Sequence, residues 1–324
     1  MKTQLLSDVR TAAQILRAGG LVAFATETVF GLGADATNPA AIDRLFRAKG
    51  RPQDNPLIVH VADHQRWQLA ASKMTEQAEL LLRSFSPGPI TVVLPKSDKI
   101  GESVTAGLST VGLRIPAHAL AREFLSACNV PIAAPSANRS GKPSATTWQA
   151  VLEDLDGEID AILLGEPCGI GLESTVVNCT GDVPVVLRTG AITLEQLQAV
   201  APETQQITSL ASGGPLPSPG LRYAHYQPAA KVSLVRSTAE VAAFTQEVLS
   251  ASGYCGLSAL NAGSSVGLLR VFPSTEAYAR GFYEFLREAD RVGLANVFVE
   301  LAPNSGIGVA LRDRQQRAAA GETH

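Results

Sequence analysis

A stretch rich in proline and glycine divides this chain of 324 residues into two parts. Four prolines and three glycines fall between Ser209 and Pro228, and neither a helix nor a strand runs through such a sequence. The chain is also too long for one ordinary core. We therefore predict a first domain over 1–208, a linker over 209–230 and a second domain over 231–324. The linker carries Arg222, Tyr223, His225 and Tyr226, which are contact residues that an inert spacer seldom has.

The two parts differ in how strands and helices alternate. Before the linker, short predicted strands and helices are mixed without a regular cadence, which predicts a twisted mixed sheet with helices on its faces. After the linker the alternation is regular and predicts a small three-layer, Rossmann-like α/β domain with a parallel sheet. The elements predicted there are strands at 232–235, 254–258, 266–271 and 294–300 and helices at 238–250, 274–289 and 307–319.

Charge and cysteine content restrict the class of function. The formal net charge is −3 and the pI is near 6.0, which argues against a protein that coats nucleic acid but still allows a local basic site. The four cysteines form no CxxC pair and no metal-finger spacing, and they fit small buried side chains in a reducing compartment. We find no secretory signal and no apolar run of membrane-spanning length, so we expect a soluble, cytoplasmic protein.

Two cations around a glycine introduce the segment from Lys49 to His60. Two prolines inside this segment exclude a helix and predict a shaped loop before an apolar, strand-like run. Lysine supplies a point charge and arginine a planar fork for phosphate oxygens, so a loop with Lys49, Arg51 and Asn55 suits an anion such as a phosphate chain. The alternative is a solvated loop whose charges are close by chance.

Two arginines lie in predicted strands that are otherwise apolar. Arg114 lies within Val-Gly-Leu-Arg-Ile-Pro, and Arg188 closes Val-Val-Leu-Arg. Because a buried arginine without a partner is strongly destabilising, Arg114 must meet an anion, which is either a carboxylate of the protein or a ligand. Together with Lys49 and Arg51, these arginines concentrate positive charge at strand ends of an acidic chain, which favours a site for a polyanion.

Polar clusters follow several predicted strands, where ligands of mixed sheets usually bind. Thr26-Glu-Thr28 fits either a small zwitterion or a capped turn, and Pro135-Ser-Ala-Asn138 fits either phosphate or ribose oxygens or an Asx turn. Gly171-Leu-Glu-Ser-Thr175 is similar to the first cluster, and His60 taken alone fits a core histidine. The residue pattern leaves these alternatives open.

No side chain stands out as a covalent nucleophile. Cys128, Cys168 and Cys179 have no histidine at motif spacing. The sequence also lacks a GKS or GKT phosphate loop, a dinucleotide fingerprint and an HExxH motif. If the protein binds a nucleotide, it uses another arrangement.

Eight motifs in order carry a resemblance to a known family. The chain resembles the long form of the threonylcarbamoyl-AMP synthases, which has a YrdC-type catalytic domain, a linker and a C-terminal domain. The similarity covers essentially the whole chain. The matching motifs are Thr26-Glu-Thr-Val-Phe-Gly-Leu-Gly33, Lys49-Gly-Arg-Pro52, Asn55-Pro-Leu-Ile-Val-His60, Ser86-Pro-Gly-Pro89, Gly112-Leu-Arg-Ile-Pro116, Pro135-Ser-Ala-Asn138, Glu173-Ser-Thr-Val176, and Ser218-Pro-Gly220 with His225-Tyr226.

The resemblance implies an enzyme of the nucleotidyltransferase class. It would join L-threonine, bicarbonate and ATP into L-threonylcarbamoyl-adenylate and pyrophosphate, the first step towards threonylcarbamoyladenosine in tRNA. Magnesium (Mg2+) would be held by the ATP phosphates and not by protein side chains. Downstream proteins would transfer the threonylcarbamoyl group to tRNA, and neither membrane association nor tight binding of nucleic acid is expected.

The resemblance also implies the site residues. Lys49 and Arg51 would be the catalytic residues, acting on the triphosphate. The ATP-binding positions would be Lys49, Arg51, Asn55, Thr110, Ser136, Asn138, Ser144, Arg188, Tyr223, His225 and Tyr226, the last three as a lid. The threonine-binding positions would be Thr28, His60, Arg114, Ala134 (through its backbone) and Ser174, with Arg114 meeting the carboxylate of the amino acid.

Two other functions compete with this interpretation. A non-catalytic RNA-binding module of the same fold is disfavoured by the net charge of −3 and by the lack of an aromatic–basic stripe. A carbamoyl-group transferase with a related catalytic domain would carry metal-finger cysteines and acylphosphatase-like segments, which we do not find. Threonine-dependent release of pyrophosphate from ATP would distinguish a synthase from a binding module.

Overall fold

The structure, a computed structural model, describes residues 2–207, 226–260 and 265–320. These residues form two compact units. The first unit comprises 2–140, 145–169 and 173–207, and the second comprises 141–144, 170–172, 226–260 and 265–320. The predicted domain boundaries stay predictions, because most of the predicted linker lies outside the described residues.

In the described part of the first unit, eleven strands form one twisted mixed sheet. The strands are β1 (Gln4–Leu6), β2 (Val22–Phe24), β3 (Gly31–Asp35), β4 (Ile58–His60), β5 (Ile90–Pro95), β6 (Thr110–Arg114), β7 (Ile132–Ala133), β8 (Ala161–Leu163), β9 (Thr175–Asn178), β10 (Val185–Arg188) and β11 (Gln205–Gln206). Their order across the sheet is β1-β8-β2-β3-β7-β4-β6-β5-β9-β10-β11. Strands β4 and β6 are parallel, whereas β5 and β6 are antiparallel, so the predicted mixed sheet is confirmed.

Helices connect these strands. They are α1 (Val9–Arg17), α2 (Pro39–Lys49), a 3-10 helix (His64–Leu69), α3 (Glu76–Phe85), α4 (Glu102–Thr105), α5 (Ala119–Cys128), α6 (Trp148–Leu155) and α7 (Leu194–Val200). Across all the residues that the structure describes, no helix is both long enough and apolar enough to cross a membrane.

Strand β2 shows why helices cover both faces of the sheet. Alternate residues of a strand point to opposite faces. Val22 and Phe24 pack in a cluster with residues of α1 and α5, whereas Ala23 belongs to a larger cluster with residues of α2, α3 and α6. All three residues of β2 are buried, which explains why the strand is apolar throughout and does not alternate with polar residues.

Helix α2 is bounded by signals that the sequence carries. The Asn38 side chain accepts a hydrogen bond from the Ala41 N–H at 3.2 Å, and Pro39 occupies the first turn, where its missing N–H is harmless. Gly50 ends the helix in a left-handed conformation with φ of 60°, which glycine adopts without strain. These caps make Lys49 the last residue of the helix.

The second unit has a parallel sheet, as predicted. Within its described residues the strands are β12 (Lys231–Val235), β13 (Ser252–Gly256), β14 (Leu268–Val271) and β15 (Asn296–Glu300), in the order β12-β15-β13-β14, and every pair is parallel. The helices are α8 (Thr238–Ala242), α9 (Gln246–Ser250), α10 (Thr275–Arg291) and α11 (Gly308–Ala319).

Helices lie on both faces of this sheet. Tyr254 and Phe298 form an apolar cluster with residues of α8 and α9, whereas Cys255, the next residue along β13, contacts Tyr278 of α10. Because neighbouring residues of a strand face opposite sides, α10 covers the other face and the predicted three layers are confirmed. The single helix predicted over 238–250 is wrong, because the Thr245 side chain caps a new helix by accepting from the Val248 N–H.

Candidate functional site

The buried ammonium group of Lys49 joins the end of α2 to the Ser136–Asn138 loop. Lys49 is 3% exposed, and its Nζ donates hydrogen bonds to the carbonyl oxygens of Ser136, at 2.6 Å, and Asn138. The Ser140 N–H donates in turn to the Lys49 carbonyl oxygen at 2.9 Å. Lys49, the predicted triphosphate lysine, thus holds two residues that lie 87 and 89 positions later in the chain.

Arg51 folds back onto its own loop. Its Nε donates to the Asn55 carbonyl oxygen at 3.3 Å and its Nη2 to that of Pro56 at 2.9 Å. The Arg51 N–H donates to the Phe46 carbonyl oxygen at 3.0 Å, which continues the helix cap. The guanidinium group therefore shapes the loop that carries Asn55, which is itself buried.

Strand pairing places the predicted residues at the two ends of one short strand. Strand β4 is parallel to β6 and antiparallel to β7. The starts of β4 and β6 therefore lie next to the end of β7. This puts Asn55, Thr110 and Ser136 near the same end of these three strands. The ends of β4 and β6 carry His60 and Arg114, which are register partners. Because β4 has three residues, about 7 Å separates its ends.

His60 is a neutral, buried imidazole. It is 3% exposed, and the Phe24 ring lies edge-on to it with centroids 6.3 Å apart. Burial, followed by the positive charge of Arg114, lowers the pKa of His60 to about 3. Its Nδ1 has no hydrogen-bond partner among the described residues. A neutral ring in this position can accept or donate one hydrogen bond without adding charge.

Arg114 meets a carboxylate of the protein. Its Nη2 donates to Glu27 Oε1 at 2.7 Å, and the two side chains are only 5% and 14% exposed. The Ala117 N–H donates to Glu27 Oε2 at 3.0 Å. Burial opposes the charge on Glu27, but the Arg114 charge and these hydrogen bonds outweigh it and lower the pKa of Glu27. Arg114 Nε is buried and has no hydrogen-bond partner within the described part of the chain.

The hydroxyl groups of Thr26 and Thr28 bond to each other. Their Oγ1 atoms are 2.8 Å apart, Thr26 Oγ1 donates to the Val29 carbonyl oxygen at 2.7 Å, and the Thr28 N–H donates to Thr26 Oγ1 at 3.2 Å. Thr26-Glu-Thr28 therefore forms a capped turn, which is one of the two alternatives that the sequence left open. The turn sends the intervening Glu27 side chain towards Arg114.

Ser174 and Arg188 are in direct contact. Arg188 donates to the Ser174 carbonyl oxygen through Nε at 3.1 Å and through Nη2 at 3.0 Å, and its Nη2 lies 3.2 Å from Ser174 Oγ. Ser174 Oγ is also 2.8 Å from Thr91 Oγ1. Strand β5 is antiparallel to β6 and parallel to β9. Thr91, Ser174 and Arg188 therefore lie level with the end of β6. A predicted threonine position and a predicted ATP position thus meet.

Matches to known families cover both units. Residues 14–190 match the family model of Sua5, YciO and YrdC proteins, described as telomere recombination, and residues 192–320 match the model described as the threonylcarbamoyl-AMP synthase C-terminal domain. Threonylcarbamoyl-AMP synthase of Bacillus subtilis is 41% identical over 97% of this chain and 93% of the relative. The chain belongs to the threonylcarbamoyl-AMP synthase family. The protein of that name from Pyrococcus abyssi is 39% identical over 96% of this chain and 93% of the relative.

A solved member of the threonylcarbamoyl-AMP synthase family has the same fold. The crystal structure of Pyrococcus abyssi Sua5 complexed with L-threonine superposes with a TM-score of 0.88 at 35% identity, covering 98% of both chains. This likeness confirms the resemblance drawn from the eight motifs and the two predicted α/β architectures. The binding of L-threonine is a property of that relative.

Two residues that contact predicted site residues, Glu27 and Thr91, were absent from the predicted site. Glu27 lies inside the Thr26-Glu-Thr28 motif, but its partner Arg114 is 87 positions away, so no local pattern connects them. Thr91 is a buried hydroxyl in the otherwise apolar strand β5, and that hydroxyl was the only signal for it. Ala134 directly follows β7, and its N–H donates to the Ile58 carbonyl oxygen at 2.9 Å, which places it beside the start of β4.

The remaining predicted positions lie elsewhere in the chain. Ser144 and Tyr226 belong to the second unit. Tyr223 and His225 lie outside the described residues, so the lid assigned to them stays a prediction.

A cavity of about 490 Å³ in the first unit contains none of the predicted site residues. It is lined by His64, Trp67, Met74, Glu79, Leu82, Arg83 and Ile115. Ile115 immediately follows Arg114, but neighbouring residues of an extended chain point in opposite directions. The Ile115 side chain that lines the cavity therefore points away from the Arg114 side chain.

The buried His60 predicts a pH dependence of stability. Its folded pKa of about 3 lies below the ordinary value of 6.5, so the unfolded chain binds a proton that the folded chain does not between these values. The free energy of unfolding therefore falls as the pH falls below 6.5, by about 1.5 kcal/mol between pH 6.5 and 5 from this group alone. His60→Gln should remove that part of the slope in urea unfolding at the two pH values. His64→Gln, at an exposed histidine, is the control, and an unchanged slope in His60→Gln contradicts a neutral buried ring.

Proposed function

We propose that this chain synthesises L-threonylcarbamoyl-adenylate from L-threonine, bicarbonate and ATP and releases pyrophosphate. The observation that supports this function best is the arrangement around β4. The amino acid positions His60 and Arg114 lie at one end of this strand, and Asn55, together with the loop held by Lys49, lies at the other. Two substrates bound there would lie about 7 Å apart at opposite ends of one short strand.

The amino acid would bind at the end of β6. The Arg114 Nε–H is a buried donor without a described partner, and such a donor is strongly destabilising unless a ligand accepts from it. A threonine carboxylate satisfies this donor, while Glu27 keeps the guanidinium group oriented. Neutral His60 and Ser174 would line this end of the site. Thr28 and the Ala134 backbone are the other proposed threonine contacts, and Ala134 would reach the amino acid from beside the start of β4.

The nucleotide would bind at the opposite end of β4. Lys49 and Arg51 would neutralise the triphosphate, with Asn55, Thr110, Ser136, Asn138, Ser144 and the linker residues Tyr223, His225 and Tyr226 around it. Arg188, the remaining proposed ATP contact, bonds to Ser174 level with the end of β6, so it would meet the nucleotide where the two substrates approach each other. We propose that magnesium arrives on the ATP phosphates as part of the substrate. Electrostatic stabilisation and alignment would then be the protein's main contributions to the rate.

The reaction needs no protein nucleophile. The threonine amine and bicarbonate give an N-carboxylate and water, one carboxylate oxygen attacks the α-phosphorus, and the bond from this phosphorus to the pyrophosphate oxygen breaks. The residue types fit this chemistry, because burial raises the pKa of each of the four cysteine thiols to about 12 and keeps them protonated at neutral pH. This transfer of an adenylyl group would make the enzyme a nucleotidyltransferase.

A direct assay tests this function. The purified chain, incubated with ATP, magnesium and bicarbonate, should release pyrophosphate only when L-threonine is added, and mass spectrometry should detect threonylcarbamoyl-adenylate. L-Serine and L-valine, which each lack one feature of the threonine side chain, are matched controls. A chain that binds RNA but forms no adenylate would instead support the non-catalytic module.

The product implies a partner reaction. A mixed anhydride of a carbamate and AMP hydrolyses readily, so we propose that it passes to proteins that transfer the threonylcarbamoyl group to an adenosine of tRNA. Exclusion of water from the site would protect it until transfer.

A further inference from the structure

One helix of the second unit holds a segment that the nucleotide proposal requires. Residues 141–144 belong to this unit, and the last of them, Ser144, is a proposed ATP-binding residue that is fully buried. Arg287 of α10 is 4% exposed, and its Nη2 donates to the Pro143 carbonyl oxygen at 2.5 Å. That oxygen belongs to the peptide group that joins Pro143 to Ser144.

The same segment is fixed at its other end. The Gly141 carbonyl oxygen accepts from the Gln227 N–H at 2.8 Å. Gly141 has φ of 90°, a backbone conformation that favours glycine, and the proline ring restricts φ of Pro143. With both ends bonded and two backbone angles restricted, the peptide before Ser144 has little freedom.

Three residues on one face of α10 contact residues 143, 226, 229 and 230. Tyr283, Arg287 and Asp290 are spaced by four and three residues, which places them on one face of a helix. The Tyr283 ring packs on the Tyr226 ring with centroids 5.1 Å apart. Asp290 Oδ1 accepts from the N–H groups of residues 229 and 230 at 2.8 and 3.2 Å. Arg287 lies between these two contacts and holds the segment that carries Ser144.

We propose that Arg287 is a positioning residue for the nucleotide: its guanidinium group fixes the Pro143–Ser144 peptide and thereby aims the Ser144 hydroxyl. This inference rests on the proposed role of Ser144 in ATP binding. Arg287 does not itself touch the nucleotide in this proposal. Its effect should therefore disappear when the Ser144 hydroxyl is removed.

Binding of Mg–ATP to the full chain, followed by isothermal titration calorimetry, tests the proposal. Arg287→Met should raise the Kd for ATP about tenfold, because it removes a charge-assisted hydrogen bond, and it should leave the Kd for L-threonine within about twofold. In the Ser144→Ala background the same substitution should change the Kd for ATP by less than about twofold. Arg280→Met, which changes an exposed arginine of the same helix, should bind as the unsubstituted chain does.

A merely structural role would give a different result. It would lower the fraction of binding-competent protein, and hence the stoichiometry, without changing the Kd. An unchanged Kd in Arg287→Met, or equal effects with and without the Ser144 hydroxyl, would overturn the proposal. If Arg287→Met does not fold by circular dichroism, Arg287→Lys replaces it, with a rise of about threefold expected and an unchanged Kd overturning the proposal.

These measurements separate the positioning proposal from the proposed enzyme activity. If the unsubstituted chain binds ATP but releases no pyrophosphate with L-threonine and bicarbonate, the synthase proposal fails and the Arg287 proposal is still decided by the Kd values. If the unsubstituted chain does not bind Mg–ATP, both fail.

Discussion

Replacing Lys49 by alanine is expected to lower threonine-dependent pyrophosphate release by at least about 100-fold. The ammonium group is buried at the end of α2 and bonds to the carbonyl oxygens of Ser136 and Asn138. Its loss removes both a positive charge from the proposed triphosphate site and the link that holds this loop. Release of pyrophosphate, with ATP and threonine each varied, is the measurement.

Matched variants test the assignment of Lys49 and Arg51 to the triphosphate. Lys73→Ala, at an exposed lysine, should retain full activity. Arg51→Ala should also reduce turnover, because the guanidinium group shapes the loop of Asn55 through the bonds to residues 55 and 56. If Lys49→Ala and Arg51→Ala both keep full activity, the phosphate assignment is wrong.

Replacing Arg114 by methionine is expected to have the largest combined effect on stability and activity. It leaves the Glu27 carboxylate, which is only 14% exposed, without its cation. Breaking a buried pair by removing one partner lowers the free energy of unfolding by about 3–5 kcal/mol. It also removes the proposed donor to the threonine carboxylate, so the KM for threonine should rise at least about 100-fold. Urea unfolding and steady-state kinetics measure the two effects.

A double variant distinguishes the structural role of Arg114 from its role in binding. Glu27→Gln with Arg114→Met removes both charges, so most of the lost stability should return, whereas threonine turnover should not. Arg83→Met breaks an exposed pair with Glu79 and, as the control, should change stability by less than about 1 kcal/mol. A double variant with an unchanged KM for threonine would show that Arg114 serves only to neutralise Glu27.

Local chemistry decided much of what could be predicted. Asn38, Pro39 and Gly50 bound α2 through their own side chains and backbone preferences, so the position of Lys49 at a helix end follows from a short stretch of sequence. The regular alternation after residue 231 likewise predicted a parallel sheet, because its period depends only on neighbouring residues. The break at Thr245 was missed, since a threonine inside a helix-like pattern gives only a weak capping signal.

The amino-acid sequence by itself determined the ends of α2, the two architectures, the family and the requirement that Arg114 meet an anion. Only the tertiary structure decided that this anion is Glu27, that Ser174 contacts Arg188, and that residues 141–144 pack with α10. These contacts join residues 87, 14 and 144 positions apart. Helix and strand patterns depend on interactions between near neighbours, whereas such pairings depend on which strands lie side by side and on which charges burial forces together.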